Sequence, residues 1–325
     1  MERKRFWSII AIGSCCVLRA WSQSDAQFNQ YFSVLGYYNP AYAGTAGGLN
    51  LSGMYNLQWL GMENAPKTMV LTADMPWKYG RSEHGLGVVV YNETLGLDKN
   101  LYTSAQYAFR KKLGKGVLSI GLQAGLVNMA FDGAGIYIPD DEDETHQPPE
   151  SDEAMTAAQA DAMGLDLSAG LFFSTAKYYI GLASTHLLEP KLELDENTER
   201  IISRGYNLAA GYNIQLKNPL LELQPSVFVQ SNLQMVSADV TLRGVYNKRY
   251  SGGIGARASD NGKISAAILY FGMTLKGFRL GYAYEFPVSA LIRTSAGSHE
   301  LMATWRVNIE KPKGNRNKHK SVRIL

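Results

Sequence analysis

The chain has 325 residues, 46% hydrophobic and 19% charged, with 19 tyrosines and 32 glycines, enough for one large domain or two ordinary ones. Beyond the N-terminus nothing approaches the roughly 18 consecutive apolar residues of a membrane-spanning helix. Residence in a bilayer would therefore require a closed barrel, the other structure that satisfies every backbone group in lipid.

The N-terminus reads as an export signal over residues 1–22. Arg3, Lys4 and Arg5 precede an apolar run from Phe6 to Leu18, then Ala20-Trp21-Ser22 with small residues at the alternate positions a signal peptidase reads. Arg3, Lys4, Arg5 and Arg19 against Glu2 give this segment all of the whole-chain net charge of +3. The remaining chain is near neutral, which removes the electrostatic motive for binding nucleic acid. Both cysteines, Cys15 and Cys16, fall inside the signal, so the exported chain has no disulfide and no thiolate metal ligand. Ile12-Gly13-Ser14-Cys15 also resembles a lipoprotein cleavage box, whose use would place a lipid on Cys15. The short apolar run before Cys15 favours a plain signal.

Residues 23–48 form an N-terminal lead-in. Pro40 and clustered glycines forbid a long helix or strand there, predicting an ordered turn or a plug-like, periplasmic segment. Strands are predicted around 49–58 and 67–77, and alternation then recurs to the C-terminus. In 204–216, Tyr206, Leu208, Ala210, Tyr212, Ile214 and Leu216 oppose Gly205, Asn207, Ala209, Gly211, Asn213 and Gln215. Successive strand side chains point to opposite faces, so one face is apolar with tyrosines and the other small and polar. That suits lipid outside, with aromatic girdles, and a wet or crowded lumen inside. Leu101, Thr103, Ala105, Tyr107 and Phe109 likewise oppose Tyr102, Ser104, Gln106, Ala108 and Arg110, and His299, Leu301, Ala303 and Trp305 oppose Glu300, Met302, Thr304 and Arg306. Charged residues keep to the non-apolar phase. Ile264 to Leu275 is apolar on both phases, which leaves its facing open.

About fourteen strands result, an even number as bacterial single-chain barrels have. With the N-terminus periplasmic, the odd connections (59–66, 94–98, 130–162, 188–200, one near 236, 259–262 and 288–297) include every long one. All but one of the even connections are very short. This is the asymmetry of outer-membrane barrels. The fold class is thus an all-β transmembrane outer-membrane β-barrel over 49–309, of about 14 antiparallel strands. It is preceded by the lead-in and followed by a basic periplasmic tail, 310–325.

Several separate blocks carry a family resemblance. Gln27-Phe28-Asn29-Gln30-Tyr31, Asn39-Pro40-Ala41-Tyr42-Ala43-Gly44, and Gln58-Trp59-Leu60-Gly61 leading to Ala65-Pro66-Lys67-Thr68 resemble the N-terminal signature of the PorP/SprF family. Gly281-Tyr282-Ala283-Tyr284 through Gly297-Ser298-His299-Glu300-Leu301 is similar to its closing hairpin. The resemblance implies a non-enzymatic outer-membrane protein of Bacteroidota, linked to type IX secretion and gliding motility. It implies partners among the periplasmic and lipoprotein subunits of that system, or one secreted adhesin, besides outer-membrane lipids.

Four candidate sites follow. Asn39, Pro40, Tyr42 and Gly44 are expected to fix the lead-in at the barrel mouth and to take part in holding partners. The tail residues Lys311, Lys313, Arg316, Lys318 and Lys320, with Arg110, Lys111, Lys112 and Lys115 at a periplasmic turn, could dock an acidic periplasmic partner or simply be solvated. Between Pro139 and Asp161 lie nine acids and no lysine or arginine. Such a run could chelate calcium, but the ligand spacing and turn glycine of a calcium loop are missing, which favours a solvated loop. Ser298-His299-Glu300 suggests hydrolysis only superficially, because neighbours on a strand face opposite ways. No cofactor is expected. The alternative function is a transport barrel for a small or apolar solute, with residues 25–48 as plug or hatch.

Overall fold

The computed structural model describes residues 25–80, 82–132, 159–195, 198–259, 262–288 and 293–308. The expected export signal, most of the acidic run and the basic tail lie outside these residues.

The strands are β1 (Leu49–Leu57), β2 (Lys67–Tyr79), β3 (Ser82–Leu95), β4 (Asp98–Leu113), β5 (Gly116–Asp132), β6 (Gln159–Ser174), β7 (Tyr178–Thr185), β8 (Lys191–Asp195), β9 (Thr198–Ile201), β10 (Gly205–Tyr212), β11 (Ile214–Gln215), β12 (Leu221–Ser231), β13 (Val236–Tyr246), β14 (Tyr250–Ser259), β15 (Lys263–Leu275), β16 (Phe278–Pro287) and β17 (Ser298–Val307). All but β8 and β9 join one antiparallel meander, and β1 pairs with β17 to close it. β10 and β11 are one strand interrupted at Asn213, whose N–H goes to the Lys177 carbonyl. Both halves pair with β12. The result is a closed barrel of 14 strands. Closure leaves no sheet edge, as lipid requires.

Alternation sets the facing. Leu101, Tyr107, Val240, Leu242, Leu301 and Trp305 are exposed on the outer wall, while Ser104, Gln106, Asp239, Thr241, Glu300 and Thr304 are buried inside. In β15 the ambiguity resolves with Ile268 and Tyr270 inward and Leu269 and Phe271 outward. The inner pair is apolar because Phe32 packs against it.

The connections divide as expected. One end carries the six short turns, at 80–81, 114–115, 175–177, 216–220, 247–249 and 276–277. At 247–249, Asn247 and Lys248 take φ +51° and +53°, the backbone of a type I′ turn whose twist matches the flanking strands. The other end carries the long connections, including 186–204, which holds the separate β8–β9 hairpin with Leu192 buried. No alternation in the sequence singles out that hairpin.

The lumen is not open. Residues 25–48 run through it from the long-loop end, where Asp25 meets Thr185, to the short-turn end, where Gly44 meets Asp74. Phe28, Tyr31, Val34, Leu35, Tyr38 and Ala41 are all buried there. The segment thus lies inside the barrel. Two wall glycines make the close approach possible. A Cβ at Gly85 would overlap the Ala43 carbonyl, and one at Gly121 would overlap the Pro40–Ala41 peptide. Gly121→Ala and Gly85→Ala should therefore unseat the segment, read as new protease cleavage within 25–48 of the purified protein. Gly252→Ala, whose Cβ would meet nothing nearer than 3.7 Å, should leave the cleavage pattern unchanged.

Candidate functional site

The seated segment and the wall groups that hold it form the most elaborate polar site among the described residues. Two 3₁₀ turns, Tyr31–Ser33 and Pro40–Tyr42, and one short helix, Leu35–Tyr38, keep it compact. Tyr38 knots it internally, its hydroxyl accepting from the Phe28 N–H at 3.0 Å and donating to the Ala26 carbonyl at 3.1 Å. Its rings pack on wall rings: Tyr31 stacks on Phe228, Tyr37 stacks on Tyr91, and Tyr42 stands edge-on to Phe172. Such pairs add about 0.5–1.5 kcal/mol each beyond area burial.

At mid-lumen, Glu300 of β17 accepts the backbone N–H groups of Asn29 and Gln30, both at 2.7 Å and one on each carboxylate oxygen. Beside it Arg257 binds Asp239 at 2.8 Å, Glu285 at 2.9 Å and the Asn29 side chain at 3.0 Å. A buried guanidinium needs this complete a shell, since an unpaired buried charge costs several kcal/mol.

At the long-loop end, His186 stands between two carboxylates, with Nε2 2.8 Å from Asp25 and Nδ1 3.0 Å from Asp166. Asp166 also accepts from the Tyr102 hydroxyl at 3.0 Å. Burial disfavours charge on the His186 ring, but Asp25 and Asp166 outweigh it and raise its pKa to about 10. Burial likewise pushes the Asp25 carboxyl up, yet the His186 charge and the hydrogen bonds from His186 and Thr185 bring it below the usual value.

At the short-turn end, the Asn39–Gly44 block is bonded to the wall. Asn39 donates its amide to the Leu171 and Leu182 carbonyls at 3.0 and 3.2 Å and accepts from the Ala41 N–H at 2.9 Å. Gly170 and Gly181 leave the slot it occupies. Pro40 is buried, Gly44 donates to Asp74 at 2.9 Å, and the Gly44 carbonyl accepts from Arg110 at 2.7 Å. Asn39, Pro40, Tyr42 and Gly44 thus face the wall at the short-turn end of the lumen.

Ser298, His299 and Glu300 do not converge. Ser298 and Glu300 point inward, the first toward Glu285, while His299 bonds the Tyr282 hydroxyl on the outer face. Among the described residues no group of acids, histidines or cysteines could hold a metal. The tail residues Lys311, Lys313, Arg316, Lys318 and Lys320, and residues 139–158 of the acidic run, lie outside the described residues. Sequence reasoning missed the clamps at Glu300, Arg257 and His186. Inward glycines beside amides and charges were the available signal.

A closed, even-stranded barrel with an apolar outer band and short turns at one end is a protein of the outer membrane. The chain belongs to the family of the type IX secretion system membrane protein PorP/SprF, whose model matches residues 20–305. No curated protein matches it in sequence. Solved structures similar to it include a FadL homologue of Pseudomonas aeruginosa (12% identity, 84% of this chain and 93% of that one, TM-score 0.48). The P. putida toluene transporter TodX (8%, 84% and 93%, 0.46) and Omp33 of Acinetobacter baumannii (7%, 80% and 98%, 0.43) are similar too.

Two outcomes are expected at this site. Glu300→Gln would face one of the two captured N–H groups with a donor, at a cost of about 1–3 kcal/mol, read as a lower thermal midpoint of the extracted barrel. The His186 contribution is complete below the unfolded histidine value near 6.5 and is lost as pH rises through about 10. The Asp25 contribution is present above 3.8 and is lost as pH falls through its depressed value. The stability difference between wild type and His186→Gln should therefore be largest between about pH 4 and 6.5 and vanish above about pH 10.

Proposed function

We propose that the protein is a non-enzymatic anchoring component of the type IX secretion and gliding apparatus. In this reading residues 1–22 direct export, and the barrel carries periplasmic and lipoprotein subunits, or a secreted adhesin, on its ends. The observation that supports it is the filling of the lumen by residues 25–48. A conduit for solute would have to break the Glu300, His186, Asn39 and Gly44 contacts together. A platform keeps them, and needs them for rigidity. The Asn39–Gly44 block then acts on partners indirectly, by setting the chain where it leaves the lumen and enters β1. The basic tail, with Lys311, Lys313, Arg316, Lys318 and Lys320, comes after β17 in the sequence and would reach a periplasmic partner.

The testing experiment is a pull-down of the tagged, gently extracted and crosslinked protein, with partners identified by mass spectrometry. Secretion subunits are expected, with markedly lower recovery after deletion of residues 310–325. A clean barrel without partners would overturn the reading. In planar bilayers the wild type should show no steady conductance. A steady current with saturation by a small solute would favour the transport alternative.

A further inference from the structure

The short-turn end carries positive charge that no contact within the described chain uses. Every one of the six short turns holds a lysine or arginine, and none holds an aspartate or glutamate. Inside that rim, Arg306 of β17 and Arg279 of β16 lie on the inward phase. Arg306 is in register with Asn50, and Asn50 with Asp74. Arg279 is in register with Thr304, the next inward residue along β17. The two guanidinium groups are near enough to act on each other electrostatically, and Arg279 acts on Arg243 as well.

The inward carboxylates of this end are already engaged. Asp74 accepts from Gly44 and Asn50, Glu222 accepts from Gln224 at 2.6 Å, and Glu83 neighbours Arg110. Arg243 is held against the Phe32 ring, 4.0 Å from its centroid, and bonds Gln224. Arg279 and Arg306 alone among these make no side-chain hydrogen bond or ion pair with a described residue, although Arg306 lies within electrostatic reach of the Asp74 carboxylate.

Two adjacent unpaired guanidinium groups repel, and an anion between them relieves that cost. Their planar forks match carboxylate geometry. The barrel wall separates these inward groups from the bilayer, so lipid headgroups reach the outer turns and the two arginines face the aqueous mouth. Short turns mark that mouth as periplasmic. We propose that Arg279 and Arg306, within the rim of basic turns, form a docking site for a glutamate- or aspartate-rich segment of a periplasmic protein. The inference rests on the proposed function for its biological setting and names the chemistry of the partner. The rim attracts the segment from a distance, and the inward pair fixes its end by bidentate contacts.

The test uses the full exported chain in a neutral detergent and a fluorescent glutamate-rich peptide, followed by anisotropy. Binding is expected at low salt, weakened by added salt, with a lysine-rich peptide of equal length not bound. R279Q/R306Q should weaken it on the order of tenfold without altering the heat-shifted gel mobility of the folded barrel, because neither side chain holds the fold together. Equal binding by wild type and R279Q/R306Q, or no binding by wild type, would overturn the proposal. Retention of phosphatidylglycerol micelles through the same arginines, in place of the peptide, would also overturn it and assign the site to lipid. A chain that binds the peptide through this pair yet recovers no secretion subunits leaves the inference standing and sinks the proposed function. Recovery of the subunits regardless of the two arginines does the reverse.

Discussion

The structure depends on one constraint: the inner wall of a lipid-embedded barrel carries polar groups that something must satisfy. Here the chain's own N-terminal segment does so. Glu300 takes two backbone N–H groups of the segment, and Arg257 takes the Asn29 side chain while neutralising Asp239 and Glu285. An unpaired charge in this setting would cost several kcal/mol, so the wall and the segment are stable only together. The apolar contacts repeat the relation, since Ile268 and Tyr270 would have no reason to face an aqueous lumen without Phe32.

That mutual dependence explains how the lumen is graded. The middle is gripped by carboxylate and guanidinium groups, Glu300, Asp239 and Arg257, which are buried and whose charge-assisted hydrogen bonds are therefore strong. The long-loop end uses a histidine held between two carboxylates, one of which, Asp25, is the start of the segment itself. At the short-turn end the contacts are to backbone: Asn39 to two wall carbonyls, Gly44 to Asp74 and Arg110. Side-chain contacts fix position, and backbone contacts fix the path by which the chain enters β1.

Much of this was legible in the sequence. The facing of Leu101–Arg110 and of His299–Arg306 follows from period-two alternation alone, because lipid tolerates no charge on its side. The parity of short and long connections follows from strand count. Lumen filling was harder to see, because residues 25–48 carry no periodicity and several of their contacts lie more than 100 residues away in sequence, as Asn39 to Leu171 and Asn29 to Glu300 do. The small inward residues were visible, but Gly85 and Gly121 are small to admit another backbone, which is a different reason from lining water. Ile264–Leu275 was ambiguous for the same cause: its inner face meets protein. The β8–β9 hairpin has two short strands and a buried Leu192, too little pattern to stand out.

Charge is also unevenly spread along the chain, and this bears on how a filled barrel can act at all. The acidic run from Pro139 falls in sequence between β5 and the start of β6, while the charged residues of the short turns are all bases. A transporter needs its polar groups aimed along a path through the lumen. In this chain the polar groups of the lumen are spent on the segment, and the unspent charge, Arg279, Arg306 and the basic turns, faces outward at one end. Charge held in reserve on a rigid, closed body acts on whatever approaches that end, which is the physical requirement for an anchor.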